Sequence, residues 1–329
     1  MQKYLLSLTL CVSLCNAQTT VTKAFHDPSV GNVANYVSLN GTPDNSATGA
    51  NTTFYNSSLT LGVGSPGTYS APTVGEITSY PGSTLKYVNG SNTVFYKQTA
   101  NKLEITALVT SDATLNLSVN NGTFISYPAA LNYAETDQAQ GTFTSASLSG
   151  LCKGTINISA DASGTLIVGP STYTNVLRIK TIQSFSLHLP SDTFLVFPIG
   201  TIVNTSYSYY DSTHKFPLLS TTQVILNAPV AGINNQTTEG AQGLNEIYLA
   251  VKDAQLKSKF EFYPNPATDV VHFRNADDAN VMIYSAEGKV LKQSRKADEI
   301  QVSDLPSGVY FITADKNGNL SETKKLIKK

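Results

Sequence analysis

Residues 103–127 read Leu103-Glu104-Ile105-Thr106-Ala107-Leu108-Val109, later Leu115-Asn116-Leu117-Ser118-Val119-Asn120-Asn121-Gly122, then Thr123-Phe124-Ile125-Ser126-Tyr127. Apolar and polar residues alternate with a period of two. That spacing puts Leu103, Ile105, Ala107 and Val109 on one strand face, with Glu104 and Thr106 on the other. Leu115, Leu117 and Val119 repeat the pattern. Asn-Gly takes the positive φ angles of a type I′ turn, so Asn121-Gly122 predicts a hairpin. Working outward, Asn89-Gly90 separates Leu85–Val88 from Thr93–Lys97 in the same way. Ile156, Ile158 and Ala160 precede a turn predicted at Asp161-Ala162-Ser163-Gly164, with Leu166–Val168 beyond it. No apolar 3.6-residue period runs for three turns between Gln18 and Val251. The front of the chain is therefore predicted to be a large antiparallel β domain, a sandwich or a partly open barrel.

Composition agrees with an all-β reading. The 329 residues are enough for about two domains. Apolar side chains make up 41%, enough to bury a core, while charged residues are only 14% against about 25% in an average soluble protein. Asn, Thr and Ser supply the missing polarity, and they suit turns and strand faces better than helix interiors. Residues 18–255 carry 9 basic and 13 acidic side chains, and residues 256–329 carry 12 and 10. Neither part has the basic stripe that a phosphate backbone requires, which argues against nucleic acid as a partner.

Met1 to Ala17 has the layout of a signal peptide. Lys3 supplies a short positive region, Leu5 to Leu14 a mostly apolar one, and Cys15-Asn16-Ala17 the small residues before a cut between Ala17 and Gln18. The apolar run is too short to span a membrane. Removing it takes Cys11 and Cys15 away and leaves Cys152 without an internal disulfide partner. Farther on, Lys252-Asp253-Ala254-Gln255-Leu256-Lys257-Ser258-Lys259 is charged and does not alternate, as a linker should be. Seven short strands are predicted beyond it: Phe260–Tyr263, Val270–Phe273, Val281–Tyr284, Val290–Lys292, Ile300–Val302, Val309–Thr313 and Thr323–Ile327. Seven strands in some seventy residues suggest a small immunoglobulin-like sandwich. The expected divisions are 1–17, 18–251, 252–259 and 260–329.

The last division resembles a known family. Tyr263-Pro264-Asn265-Pro266-Ala267 opens it, followed by Asp269-Val270-Val271, Val281-Met282-Ile283-Tyr284 and Gly288-Lys289-Val290. Val302-Ser303-Asp304-Leu305, Gly308-Val309-Tyr310 and the basic Lys324-Lys325-Leu326-Ile327-Lys328-Lys329 complete the series. In that order these segments resemble the type A C-terminal sorting domain of the type IX secretion system of Bacteroidota. The resemblance implies a protein that crosses the outer membrane through the type IX translocon. It also implies cleavage by the C-terminal signal peptidase of that system, and then anchoring on surface polysaccharide or release. Pro264, Asn265, Pro266, Gly288, Leu305, Gly308, Tyr310, Lys325 and Lys328 carry the motif. The front region is similar to recurring segments of uncharacterised secreted proteins of the same group, a likeness that brings no activity with it.

Several motifs have the outline of a chemical site. Gly150-Leu151-Cys152-Lys153-Gly154 has the outline of a nucleophile elbow, but Thr155–Ala160 reads as a strand where a helix is needed. Gly62-Val63-Gly64-Ser65-Pro66-Gly67 fits the dinucleotide fingerprint letter by letter, yet Pro66, Gly67 and Pro72 prevent the helix that must follow. His26, His188 and His214 have no metal-ligand spacing. Glu104, Glu135, Asp137 and Asp161 offer carboxylates without an evident glycosidase pair. Asp315-Lys316-Asn317-Gly318-Asn319 reads as a hairpin turn. Tyr207 and Tyr209 share one strand face, as core residues or as a binding platform for a glycan or a host protein. The expectation is an exported protein with a non-enzymatic binding or structural front domain and no catalytic, metal or cofactor site. The alternatives are a hydrolase of extracellular polymer and a surface-layer or filament component. N-terminal sequencing of exported material is expected to begin at Gln18; a lipid-modified Cys15 would refute the cleavage reading.

Overall fold

The computed structural model describes residues 18–247, 261–274, 280–286, 288–295, 298–316, 319–320 and 323–329. The proposed signal peptide, the 252–259 linker, Phe260 and Gly318 lie outside the described residues. The chain divides into two compact units, Met1–Tyr248 and Leu249–Lys329.

In the first unit, one sixteen-stranded sheet is built around two strands of 20 and 18 residues, Ser149–Val168 and Ser171–His188. On one side the sheet continues through Ala134–Ser145, Ala113–Asn120, Lys102–Val109, Asn92–Gln98, Leu85–Asn89 and Gly67–Ser70 to Val33–Ala34. On the other it continues through Pro198–Tyr210, Leu219–Ala228, Ile233–Leu244 and Tyr36–Asn40 to Thr60–Gly64. The pairing is antiparallel except where Gly49–Asn56 runs parallel to residues 162–168. The ladder is not a closed barrel. Its two ends are instead joined through the chain itself. Asn35 alone separates strand Val33–Ala34 at one end from Tyr36–Asn40 near the other, and Ser65-Pro66 links Thr60–Gly64 to Gly67–Ser70. The Ser65 N–H donates to the Tyr36 carbonyl at 2.8 Å across this junction. The glycines of the fingerprint-like stretch thus belong to strands. At Gly67 a Cβ would sit 2.1 Å from the Tyr87 ring, so close approach demands a glycine there.

The predicted turn at 161–164 is corrected. The strand runs through it with one extra residue, because Ala160 lies opposite Ile179 while Ala162 lies opposite Arg178. One extra residue exchanges the two faces of a strand. Before Asp161, the side chains of Cys152, Ile156, Ile158 and Ala160 enter a core with Leu177, Ile179 and Phe185. Beyond it, Ala162, Leu166 and Val168 enter a second core with Phe54, Val176 and Tyr209. The neighbour changes as well: Ala134–Ser145 pairs as far as Ser159, and Gly49–Asn56 takes over from Ala162.

Two further expectations fail for related reasons. Thr106 is an extra residue in its strand, since Phe95 faces Ala107 and Tyr96 faces Ile105. The face begun by Leu103 and Ile105 therefore continues with Leu108 and not with Ala107. Asn121-Gly122 is no hairpin turn either. Ala113–Asn120 and Gly122–Ser126 both run antiparallel to Lys102–Val109, one after the other. Gly122 instead lies in tight packing, since a Cβ there would come within 2.5 Å of Ile156 Cδ1 and displace that side chain. Asn89-Gly90 does turn between paired strands, with Gly90 at φ +58°.

The second unit holds a three-stranded sheet (Glu261–Tyr263, Val270–Arg274, Glu299–Gln301) and a five-stranded one. The latter contains Asn280–Tyr284, Val290–Arg295, Gly308–Lys316, Asn319–Leu320 and Lys324–Lys328. Val271 and Ile300 of the first sheet share a buried core with Ile283, Ile312 and Leu326 of the second, which makes a small sandwich.

At the Asp161 bulge, Arg178 Nε and Nη2 donate to the two carboxylate oxygens, each at 2.9 Å. Nη1 donates to the Asn45 carbonyl at 2.9 Å, and the fully buried guanidinium lies over Phe54 at 5.3 Å and Tyr207 at 4.9 Å. Removing the carboxylate strands a buried charge. Asp161→Ala is expected to lower stability by about 3–5 kcal/mol in urea unfolding. Arg178→Met, which removes the charge and keeps the volume filled, is expected to cost clearly less; the reverse order would disprove this account.

Candidate functional site

The first unit encloses a cavity of about 340 Å³. Part of its lining is apolar and aromatic: Tyr87, Val94, Tyr96, Leu103, Ile105 and Leu108. The rest includes Gln183, Asn204, Ser206, Ser208, Ser220 and Gln242, none of them charged. Period-two alternation explains the second group. In Asn204-Thr205-Ser206-Tyr207-Ser208-Tyr209, even positions turn towards the cavity and the odd-numbered tyrosines turn away from it. Of the lining residues only Thr222 is exposed; the rest are buried or half-buried.

Several polar groups converge here without protein partners. Tyr36, Tyr69, Tyr96 and Tyr210 all line the cavity, and three of them are more than nine-tenths buried: Tyr36 at 5%, Tyr96 at 6% and Tyr210 at 7% exposure. Their rings are held by neighbours. Tyr69 stacks on Phe216 at 5.4 Å, Tyr96 meets Phe124 edge-on at 5.6 Å, and Tyr210 meets His26 edge-on at 5.6 Å. None of the four hydroxyls finds a hydrogen-bonding partner among the described residues, whereas Tyr127 donates to Asp27 at 3.2 Å. Burial raises the pKa of all four phenols, and in three of them the other tyrosines add to the shift, so they stay protonated and neutral. Asn204 joins them. Its amide nitrogen donates to Gln183 Oε1 at 3.0 Å, and its buried Oδ1 accepts nothing among the described residues. The cationic lining groups are occupied or neutral. Lys215 Nζ donates to the carbonyls of Phe25 and Asp27 at 3.0 and 2.7 Å. Burial lowers the His26 pKa, and the ring bridges the Thr22 N–H at 3.0 Å and the Asp211 carbonyl at 3.2 Å.

The sequence-predicted candidates lie elsewhere. Tyr209 is fully buried and donates to Asn45 Oδ1 at 2.8 Å, with burial pushing its phenol up to about 12. Tyr207 is half-buried between Arg178 and Lys180. The two rings therefore do not form a shared exposed platform. Cys152 is buried inside a strand, with no elbow around it, and burial pushes its thiol up to about 12, the reverse of nucleophile activation. The carboxylates serve ion pairs or turns. Glu135 meets Lys102, Glu104 meets Lys97 at 3.4 Å, and Asp137 accepts from the Thr123 N–H at 2.8 Å. No group of three potential metal ligands occurs among the described residues.

One constellation escaped sequence reasoning. His188 Nδ1 lies 2.8 Å from Asp192 Oδ2, and its Nε2 lies 2.8 Å from Ser186 Oγ. With Nδ1 protonated towards the carboxylate, this is the hydrogen-bond order of a catalytic triad. The spacings of two and four residues in Ser186-Leu187-His188-Leu189-Pro190-Ser191-Asp192 were the available signal. The surroundings favour a strut. Ser186 lies mid-strand opposite Lys153 and Thr201, where backbone N–H groups are committed to the ladder and cannot form an oxyanion hole. His188 is 1% exposed, and neither it nor Ser186 lines the cavity. Asp192 also accepts from the N–H groups of Val196 and Phe197 at 3.1 and 2.7 Å. The unit fixes the 189–197 loop, which exposes Phe194, Val196 and Phe197.

In the second unit, Asn265 ties the entry segment to the last strand. Its side chain donates to the Lys325 carbonyl at 2.8 Å and accepts from the Ile327 N–H at 2.9 Å. Ala267 N–H donates to the Ile327 carbonyl at 2.8 Å, and Lys329 N–H to the Ala267 carbonyl at 2.9 Å. Pro264 and Pro266 flank this clamp. Tyr310 donates to the Pro306 carbonyl at 2.7 Å, Leu305 packs on the core, and Gly288 turns at φ +84°. Gly308 pairs with Lys328, and Lys325 with Phe311.

Residues 261–329 match the secretion system C-terminal sorting domain. This chain carries a type IX sorting tail. The sorting domain marks a secreted or cell-surface protein that engages the type IX machinery. No helix among the described residues is long and apolar enough to cross a membrane. Neither the curated proteins nor the solved structures contain a match to the chain.

Because His188 and Asp192 act as a strut, Asp192→Ala should release the loop and speed chymotrypsin cleavage after Phe194 and Phe197, which are exposed but held in place, while Ser186→Ala should leave the digestion pattern near that of the native protein. Equal resistance of the Asp192→Ala protein would show that other contacts hold the loop.

Proposed function

We propose that the protein is an exported, non-enzymatic binding module: residues 1–17 direct it across the inner membrane, the sorting tail carries it through the type IX translocon, and the C-terminal signal peptidase of that system then removes the tail. The front unit binds a small molecule in its tyrosine-lined cavity. The observation that carries this reading is the convergence on one cavity of three buried tyrosines, Tyr36, Tyr96 and Tyr210, the half-buried Tyr69 and the buried Asn204 Oδ1, all without hydrogen-bonding partners among the described residues. Buried polar groups without partners cost about 1–3 kcal/mol each, so such a cluster is unlike ordinary core and resembles a site built for an occupant. The volume falls within the range of small-molecule sites, roughly 300–1,000 Å³. The hydrolase reading is weakened by the engaged carboxylates and by the missing oxyanion donors at Ser186.

The motif residues act by closing the tail. Asn265 joins entry and exit strands, Tyr310 and Leu305 complete the core, and Lys325 presents the basic end that the machinery reads, while the buried Lys328 donates to the Lys329 carbonyl. Fractionation with immunoblotting tests the export half. Deleting residues 260–329 should leave the protein in the periplasm, and surface display of that mutant would sink the assignment. Asn265→Ala removes two exposed hydrogen bonds. It should destabilise the tail by about 1 kcal/mol and lower the exported fraction without abolishing it. For the binding half, ligand-observed NMR against a small-molecule library should give hits that Ile105→Trp, which fills the cavity, eliminates.

A further inference from the structure

Building on the binding reading above, we infer that the cavity takes a neutral saccharide of one or two rings, held by the hydroxyls of Tyr36, Tyr69, Tyr96 and Tyr210 together with Asn204. Three ligand classes compete for a site of this size, and the lining discriminates among them. An anion needs cationic donors. The cationic candidates in the lining are Lys215 and His26, the first spent on the carbonyls of Phe25 and Asp27 and the second neutral and bonded on both ring nitrogens. A purely apolar ligand would leave the buried Asn204 Oδ1 without a donor and would seal the four phenol hydroxyls that line the cavity away from any partner, an expensive arrangement. A sugar meets both demands. Its hydroxyls donate and accept in turn, as phenols, serines and carboxamides do. Its C–H faces suit the aromatic and aliphatic lining of Tyr87, Leu103 and Ile105. Gln183, Ser206 and Gln242 add uncharged donors and acceptors beside Asn204. At about 340 Å³, near the lower end of small-molecule sites, the cavity suits a terminal residue or a disaccharide and not the length of a polymer chain.

The test uses the full chain and three sets of probes followed by isothermal titration and ligand-observed NMR. These are neutral mono- and disaccharides (hexoses, deoxyhexoses and N-acetylhexosamines), glucuronate as the anionic sugar, and laurate as the apolar probe. At least one neutral saccharide is expected to bind. Tyr96→Phe and Tyr210→Phe should each weaken it by up to about tenfold, the loss of roughly one net hydrogen bond. These substitutions delete a hydroxyl that bonds to no described residue, so the melting temperature of the unliganded protein should not fall. That control separates lost binding from lost folding. Binding of glucuronate or laurate in place of neutral sugars, blocked by Ile105→Trp, would overturn the saccharide class and leave the binding module standing. Binding by none of the three sets would overturn the inference and, with no library hits sensitive to Ile105→Trp, the binding reading as well.

Discussion

The first unit turns on one ion pair placed where a strand changes allegiance. Asp161 is the extra residue of the longest strand, and Arg178 stands opposite the point at which that strand exchanges both its buried face and its neighbour. A guanidinium fully removed from water is tolerable only with its charge and its donors matched. Asp161 supplies the charge, and the Asn45 carbonyl takes a third N–H. Asn45 in turn accepts from Tyr209 and donates to Thr221 at 3.1 Å, which fastens the segment before Gly49–Asn56 to the middle of the sheet. Both hydrophobic cores meet at this junction, and neither could form with the strand in simple alternation.

The cavity follows from the same geometry. One long strand switches faces at Asp161, the two ends of the sheet are joined through Asn35 and Ser65-Pro66, and the space between the walls is larger than side chains fill. The residues facing that space are those a stability-driven core would avoid. Asn, Ser and Gln recur on the inner face of Pro198–Tyr210 and its neighbours, and tyrosines appear where phenylalanine would pack as well. The unit gives up cohesion there and recovers it in the dry core around Phe54, Leu166 and Leu218, each fully buried.

Much of this was legible in the sequence, and the boundary is physical. Alternation and turn chemistry are local, so the strand-rich character of both units and the Asn89-Gly90 hairpin could be read directly. The tail was readable because its motif is an ordered series of short segments, one per strand. Bulges were not readable. Thr106 looks like an ordinary member of an alternating run and Asp161 like the start of a turn until the opposing strand is known, and Gly122 mimics a turn glycine although it lies in a strand, packed close to Ile156. The site stayed hidden for a similar reason. Tyr36, Tyr69, Tyr96 and Tyr210 come from four strands with no common spacing. Tyr207 and Tyr209, which the sequence displays side by side, point away from the cavity, where Arg178 and Asn45 engage them.

The Asn265 clamp has a bearing on the life history of the molecule. The tail's opening segment is fastened to a strand made some sixty residues later, with carbonyls and N–H groups of Lys325 and Ile327 as the anchor points. The tail therefore cannot assemble in the order in which it is synthesised. A chain broken by a ribosomal stall or a protease anywhere upstream of that strand lacks the part that seals the sandwich, however well its front unit has folded. An address closed in this way is complete only when its last strand has been made, so a truncated chain lacks the folded sorting domain as well as its final residues.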